Sequence, residues 1–271
     1  MTETALPPLL LVGCGKMGGA MLAGWLEQGL GEAVVVEPHP DAAAAFAGRV
    51  TVVPDPGAIP AGFRPAAIVL AIKPQEAAAT LPAFARFAGP GTVFLSIMAG
   101  RNIAGMRAAL GEAAAVVRAM PNTPAAVRQG FTVAFAGPGV TGAQKALADR
   151  LLSAIGDSAW VGEEALIDPV TAVSGGGPAY VFLLAELMEA AAVEQGLPPD
   201  LARRMARATV AGSGALLAAS AEDSGQLRKN VTSPKGTTER ALAVLMAADA
   251  WPALMSKAIA AATDRSRELG G

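Results

Sequence analysis

The chain carries one cysteine, one histidine and one tyrosine among 271 residues, and these shortages restrict what it can do. A single cysteine, Cys14, cannot build an internal disulfide framework. With one histidine, His39, there is no Cys/His cluster, so no metal site is expected. Aromatic residues make up 4%, too few for base-stacking surfaces, and the net charge of −2 supplies no basic field. Nucleic acid is therefore not an expected partner. Charged residues are scarce too, at 16% against 52% hydrophobic. That balance excludes a disordered chain and implies much buried surface, part of it in a subunit interface. The mean hydropathy of +0.42 raises the question of a membrane. A spanning helix needs roughly 20 mostly apolar residues. The apolar stretch Val181 to Val193 is broken by Glu186 and Glu189, so no span is expected. Met1 to Pro8 holds Glu3 and no basic residue, unlike a signal peptide. A soluble, cytoplasmic protein is the expectation.

What is present begins as an alternation of two periodicities. Leu9 to Val12 is an apolar run ending at Gly13, and Met21, Leu22, Trp25 and Leu26 then share one helical face before Gly29. Val34 to Val36 is the next strand, closing on Glu37 and Pro38. The unit has the size of a βαβ crossover. Further strands are expected over 50–53, 66–72, 92–97 and 115–119, with helices over 43–47, 77–87 and 103–110. Strands that are apolar throughout belong to a parallel sheet covered on both faces. Two late edge strands, 131–136 and 158–161, flank a helix over 142–155.

After Ile167 strand signals vanish. Alanine-rich helices are expected over 178–195, 199–220, 238–248 and 252–269. They are apolar around much of their circumference, so each needs burial on more than one side. An intertwined homodimer provides that; an ordinary four-helix core is the alternative. The expected fold class is α/β. An N-terminal Rossmann-like doubly wound parallel sheet covers 1–163, and a C-terminal all-α dimerisation and substrate domain covers 164–271.

Gly13-Cys14-Gly15-Lys16-Met17-Gly18 fits G-x-G-x-x-G between a strand and a helix, the context that makes the pattern a dinucleotide loop. Gly13 permits the turn, Gly15 lets a pyrophosphate approach the backbone, and Gly18 allows close helix–strand packing. Glu37 ends the second strand, where an acid accepts both ribose hydroxyls of NADH and repels the extra phosphate of NADPH. His39 and Arg49 lie close enough in sequence to soften that repulsion, so both cofactors stay open with a lean to NADH. A solvated turn acid is the alternative for Glu37. Ala71-Ile72-Lys73-Pro74 and Ala99-Gly100 close later strands, at the sheet edge where ligands collect. Lys73 fits a contact to the nicotinamide ribose or a phosphate as well as it fits a surface lysine. Asn122 fits a rigid turn as well as a nicotinamide contact.

Two downstream segments combine glycines, a proline and hydroxyls ahead of helical patterns. They are Ser174-Gly175-Gly176-Gly177-Pro178 and Ser233-Pro234-Lys235-Gly236-Thr237-Thr238. Such loops aim backbone N–H groups at an anion the size of a carboxylate. Acids and bases for proton transfer are few: His39 is inert in its turn, and Tyr180 falls where packing is its natural role. A protonated cyclic imine suits that inventory, since its C=N carbon is already electrophilic and the enzyme has mainly to orient it. Thr238 is placed to hydrogen-bond the ring nitrogen or carboxylate. Glu164 either offsets cationic charge near the substrate or is a solvated loop acid beside Glu163.

These motifs, with Arg118-Ala119-Met120-Pro121-Asn122-Thr123-Pro124 and Val173 to Tyr180, make the chain resemble pyrroline-5-carboxylate reductases almost end to end. The resemblance implies NAD(P)H-dependent reduction of 1-pyrroline-5-carboxylate to L-proline. It implies a Rossmann domain followed by a helical dimerisation domain, with dimers that often assemble into decamers. By the same resemblance Thr237 and Thr238 hold the substrate, Ser174, Gly175, Gly176, Gly177 and Pro178 lie nearby, and Glu164 borders it. Asn230 reaches the cofactor. Two departures stand out. Gly176 replaces the second serine of the family's S-G-S-G-P, and Lys235 replaces a glycine of its S-P-G-G-T. A lysine there is strained by about 1 kcal/mol or more if the position needs positive φ. Two rivals remain. A β-hydroxyacid dehydrogenase or general imine reductase has similar architecture, and a nucleotide-sensing regulator needs only the cofactor loop.

Overall fold

The structure, a computed structural model, describes residues 5–270. Contacts divide the chain into two units. One runs up to Gly176 and takes back the stretch from Ala262; the other is Gly177–Ala261.

The first unit is built on an eight-stranded sheet. Its elements in chain order are β1 (Leu9–Val12), α1 (Lys16–Glu27), β2 (Ala33–Val36), α2 (Pro40–Ala43), β3 (Thr51–Val53), β4 (Ala67–Leu70), α3 (Ala77–Thr80), β5 (Val93–Ser96), α4 (Ile103–Leu110), β6 (Ala115–Met120), β7 (Gly130–Ala136), α5 (Gly142–Ser153), β8 (Gly156–Trp160) and α6 (Ile167–Val170). The spatial order is β3-β2-β1-β4-β5-β6-β7-β8. β1 pairs with β2 on one side and β4 on the other, so the sheet switches direction of growth beside the glycine loop. A ligand crevice opens at such a switch.

Successive side chains point to opposite faces of a strand, and here both faces are buried. Leu9 and Leu11 join one core with Met21, Leu22 and Trp25 of α1 and with Leu151 of α5. Leu10 and Val12 join the other, with Phe84, Phe94 and Met106. Trp25 spends its one polar group inside, donating Nε1–H to Leu151 O at 2.8 Å.

The expected sheet is present with one correction. β7 is internal, not an edge: it pairs antiparallel with β6 and parallel with β8. Apolar alternation carries no information on strand direction, so the reversal left no local signal. The expected helix over 77–87 is one α-turn followed by a 3-10 run, Leu81–Phe87. Pro82 lacks the N–H that would continue the ladder.

The second unit is helical. It contains α7 (Gly177–Glu194), α8 (Pro199–Ala219), α9 (Ser224–Asn230), α10 (Thr237–Leu245) and the first part of α11 (Trp251–Gly270). α9 was not expected; Asp223 caps it, accepting the Gln226 N–H at 2.8 Å. α7 packs on α8, with Glu189 and Arg203 paired at 3.1 Å. Yet none of the described residues of α7 is buried, and Phe182 is 66% exposed. An internal four-helix core is therefore excluded: the apolar circumference of these helices is left open by the chain itself.

The stretch 164–194 bears on the expectation about hydrophobic length. It is one continuous helical run of 31 residues, and an 18-residue window within it reaches a mean hydropathy of 1.3. That is enough by length and composition alone to cross a bilayer, although Glu186 and Glu189 still break its apolar course. The glycines at 175–177 do not interrupt it.

Candidate active site

The glycine loop forms as expected, and its glycines differ in what surrounds them. Gly13 has φ +89°, and a Cβ there would lie 2.7 Å from Ala71 O and 3.2 Å from Ile72 Cγ2. A Cβ on Gly18 would lie 2.2 Å from Gly13 O. Gly15 differs: a Cβ on it would meet nothing within 4 Å. That open space lies at the N-terminus of α1, where Gly15 is the N-cap and carries no capping side chain. Helix geometry leaves the N–H groups of Lys16, Met17 and Gly18 without intrahelical acceptors. Open donors, a positive helix end and room beside the backbone fit a pyrophosphate. Cys14 is sealed in the loop, 2% exposed, and burial with the neighbouring Glu37 carboxylate pushes its thiol up to about 11.

Glu37 is not a solvated turn acid, being 7% exposed. Its Oε2 accepts the Cys14 N–H at 2.8 Å, and its Oε1 accepts the His39 N–H at 2.9 Å. The carboxylate thus ties the end of β2 to the glycine loop, and the negative charge sits at the loop's flank. His39 is exposed and caps α2 through its backbone position. Lys73 is exposed at the start of a 3-10 turn that Pro74 opens. Ala99 is half-buried beyond β5. Gly100, beside it, is closed off: a Cβ there would lie 2.5 Å from Leu269 Cβ.

The two downstream segments are unalike. Ser174 to Pro178 is not a loop. Thr171–Gly175 is a π-helical turn, Gly176 N–H donates to Thr171 O at 2.9 Å, and α7 begins at Gly177. Its amides are therefore drawn into helical bonding, contrary to the expectation of free donors. The second segment is a true turn. Gly236 N–H donates to Ser233 O at 3.0 Å, and Gly236 is the N-cap of α10, so α10 starts at Thr237 with Thr238 behind it. Geometry leaves the first-turn amides of Thr237, Thr238 and Glu239 open. Lys235 does adopt the left-handed conformation, φ +60°, and its N–H donates to Glu239 Oε2 at 2.7 Å. Asn230 lies exposed at the end of α9, accepting from Gln226 and donating to Glu222.

Glu164 is neither free nor solvated. Its Oε1 accepts the Ile103 N–H at 2.8 Å and Arg118 Nη1 at 3.2 Å. Arg118 Nη2 reaches Asp168 Oδ1 at 3.3 Å, and the same oxygen accepts the Ser266 hydroxyl at 2.8 Å. Asp168 and Ser266 were missed by sequence reasoning. The signal was Arg118 itself, a charge inside the apolar run Ala115 to Ala119, since a buried arginine must find carboxylates. Arg128 was missed as well; it forks onto Glu27 at the end of α1, at 2.9 and 2.7 Å. That pairing holds the Glu27 carboxyl below its usual range.

Two family models match parts of the chain. Residues 164–269 match the family model for pyrroline-5-carboxylate reductase dimerisation. Residues 9–100 match that for coenzyme F420-dependent NADP oxidoreductases. A pyrroline-5-carboxylate reductase of Pseudomonas aeruginosa is 38% identical over 265 residues, 97% of each chain. The solved reductase of Coxiella burnetii superposes with a TM-score of 0.89 at 32% identity, covering 98% of this chain and 99% of that one. A Plasmodium falciparum pyrroline carboxylate reductase with NADP bound gives 0.84 at 25% identity, covering 99% and 100%.

Proposed function

The chain belongs to the pyrroline-5-carboxylate reductase family, and we propose that it reduces 1-pyrroline-5-carboxylate to L-proline, the last step of proline biosynthesis. The observation that carries this reading is the 38% identity with the Pseudomonas aeruginosa enzyme over 97% of both chains. The nicotinamide cofactor supplies a hydride for the C=N carbon. On this reading Gly13 to Gly18 and the first amides of α1 hold the pyrophosphate. Ala71 to Pro74, Ala99 and His39 border the same cofactor, and Asn230 reaches it. Glu37 is already committed to two backbone N–H groups, and its fixed negative charge favours NADH over NADPH.

Thr237 and Thr238 bind the imino acid. The open amides at the start of α10 suit its carboxylate, and the Thr238 hydroxyl orients the ring. The protonated imine arrives as a cation, so no side chain has to deliver a proton to make it electrophilic. Glu164 borders the substrate, with Arg118 offsetting part of its charge. Ser174 to Pro178 line the same site. The exposed apolar surface of α7, with Val181, Phe182, Leu183 and Leu187, supports burial in a homodimer. The family resemblance extends this reading to dimers that can assemble into a decamer. The enzyme is soluble and cytoplasmic on this reading.

The test is steady-state oxidation of each cofactor, followed at its absorbance band, with and without pyrroline-5-carboxylate. Turnover that depends on the imino acid is expected, faster with NADH. No turnover with either cofactor would overturn the assignment.

A further inference from the structure

The far end of β6 meets a single helical stretch at three levels. Arg118 pairs with Glu164 at 3.2 Å and Asp168 at 3.3 Å. Met120 lies against Gly175, whose Cβ, if present, would be 2.6 Å from Met120 Cε. Asn122, two residues further, donates Nδ2–H to Ser174 Oγ at 3.2 Å. The Asn122 side chain is used at both ends, since its Oδ1 accepts the Phe131 N–H at 2.9 Å. Ser174 in turn donates its hydroxyl to Phe131 O at 3.3 Å. Three residues from three separate elements thus close a small ring of hydrogen bonds around the π-turn Thr171–Gly175.

A π-turn needs such a hold. Its i→i+5 bonding is rare in proteins, occurring mostly as single turns within α-helices, frequently at functional sites. Left alone, a segment as rich in glycine as Ser174 to Gly177 has little local reason to stay in one helical register. Arg118 anchors the stretch two turns upstream, where Thr171 Oγ1 also bonds back to Ile167 O at 2.8 Å. Asn122 is the contact at the glycine-rich end itself.

We infer that Asn122 is a positioning residue, holding Ser174 and so fixing the register of the π-turn that presents Ser174, Gly175 and Gly176 to the imino acid. This rests on the proposed reductase reading for its kinetic consequence but not for its structural one. It differs from a direct contact between Asn122 and the nicotinamide, which would act through cofactor affinity.

The experiment uses the full chain and two variants, Asn122→Ala and Ser174→Ala, which break the same bond from opposite sides. Hydrogen–deuterium exchange on the cofactor-free protein should show faster exchange at residues 171–176 in both, with α1 unchanged. In steady-state assays Asn122→Ala should lower kcat/KM for pyrroline-5-carboxylate by about 10- to 100-fold, the scale of a misplaced binding segment. Its NADH dissociation constant, read by fluorescence titration, should stay within about twofold of wild type. On a Ser174→Ala background the Asn122→Ala change should add little, because the hydroxyl it holds is already gone. Unchanged exchange at 171–176 in both variants overturns the inference. So does a weakened NADH affinity with unchanged exchange, which would make Asn122 a cofactor contact. If one variant does not fold, the other carries the exchange test alone. A wild-type chain that fails to reduce pyrroline-5-carboxylate sinks the reductase reading and leaves the exchange result standing.

Discussion

Gly15 and Gly18 belong to one motif, yet substituting each with alanine should affect stability differently while weakening cofactor binding in both. At Gly18 a Cβ would lie 2.2 Å from Gly13 O and 3.2 Å from Ala71 Cβ. The nearer clash is against backbone, so the first turn of α1 must shift by about 1 Å. Overpacking of this sort costs about 1–3 kcal/mol. At Gly15 the backbone is ordinary, φ −68° and ψ −167°, and the methyl would meet nothing within 4 Å. Removing a glycine from the unfolded ensemble stabilises by about 0.4–1 kcal/mol. Losing glycine's advantage over alanine at an N-cap costs a comparable amount. Gly15→Ala should therefore melt within about 2 °C of wild type, whereas Gly18→Ala should fall by about 3–10 °C. NADH affinity should drop in both, by about tenfold or more, equivalent to about 1.4 kcal/mol. In Gly15→Ala the whole loss comes from a methyl in the space meant for the pyrophosphate. Thermal melts and fluorescence titration on the same preparations decide it. A Gly15→Ala protein that binds NADH as tightly as wild type would refute the cradle argument, whatever its stability.

Four further outcomes follow from other features. Glu37→Ser should narrow the NADH/NADPH preference in kcat/KM; an unaltered ratio would place cofactor choice elsewhere. Thr238→Ala should lower turnover far more than NADH affinity, and equal losses in both would remove its role in orienting substrate. Lys235→Gly relieves a left-handed lysine at φ +60° and should stabilise by roughly 0.5–1 kcal/mol, seen as about 2 °C in melting; a lower melting point would argue that the side chain is held for another purpose. The Cys14 thiol binds its proton more tightly in the folded chain, raised from 9.0 to about 11. The unfolded chain therefore loses that proton first, and stability should decline as pH rises from about 9 towards about 11. Denaturation midpoints across that range should fall less in Cys14→Ala, and parallel curves would contradict the raised value.

The nucleotide half was legible because its signals are local. A four-residue strand buried on both faces reads as Leu9-Leu10-Leu11-Val12, and the glycine loop states its own turn chemistry. What failed to show was everything decided at long range. Ser174 to Pro178 reads as a loop, since glycine and proline disfavour helix interiors. Its helical state depends on side chains more than 50 residues earlier in the chain, Asn122 among them. Arg118 announces a buried charge, but nothing in its neighbourhood says that Glu164 and Asp168 answer it 46 and 50 residues on. The antiparallel turn of β7 was invisible for a related reason, because apolar alternation looks the same in either direction. Lys235 was the reverse case: a glycine expected from resemblance foretold the left-handed backbone that the lysine adopts.

The end of α11 has a practical bearing. From Ala262 the chain is counted with the sheet and not with the other helices, and it is fastened there. Asn102 Nδ2 donates to Gly270 O at 3.0 Å, Ser266 binds Asp168, and Leu269 closes over Gly100. Trimming this tail, or grafting a rigid fusion onto it, would strip the cover from the turn after β5 and loosen the nucleotide half. A designer wanting to alter subunit assembly while sparing cofactor binding should cut elsewhere.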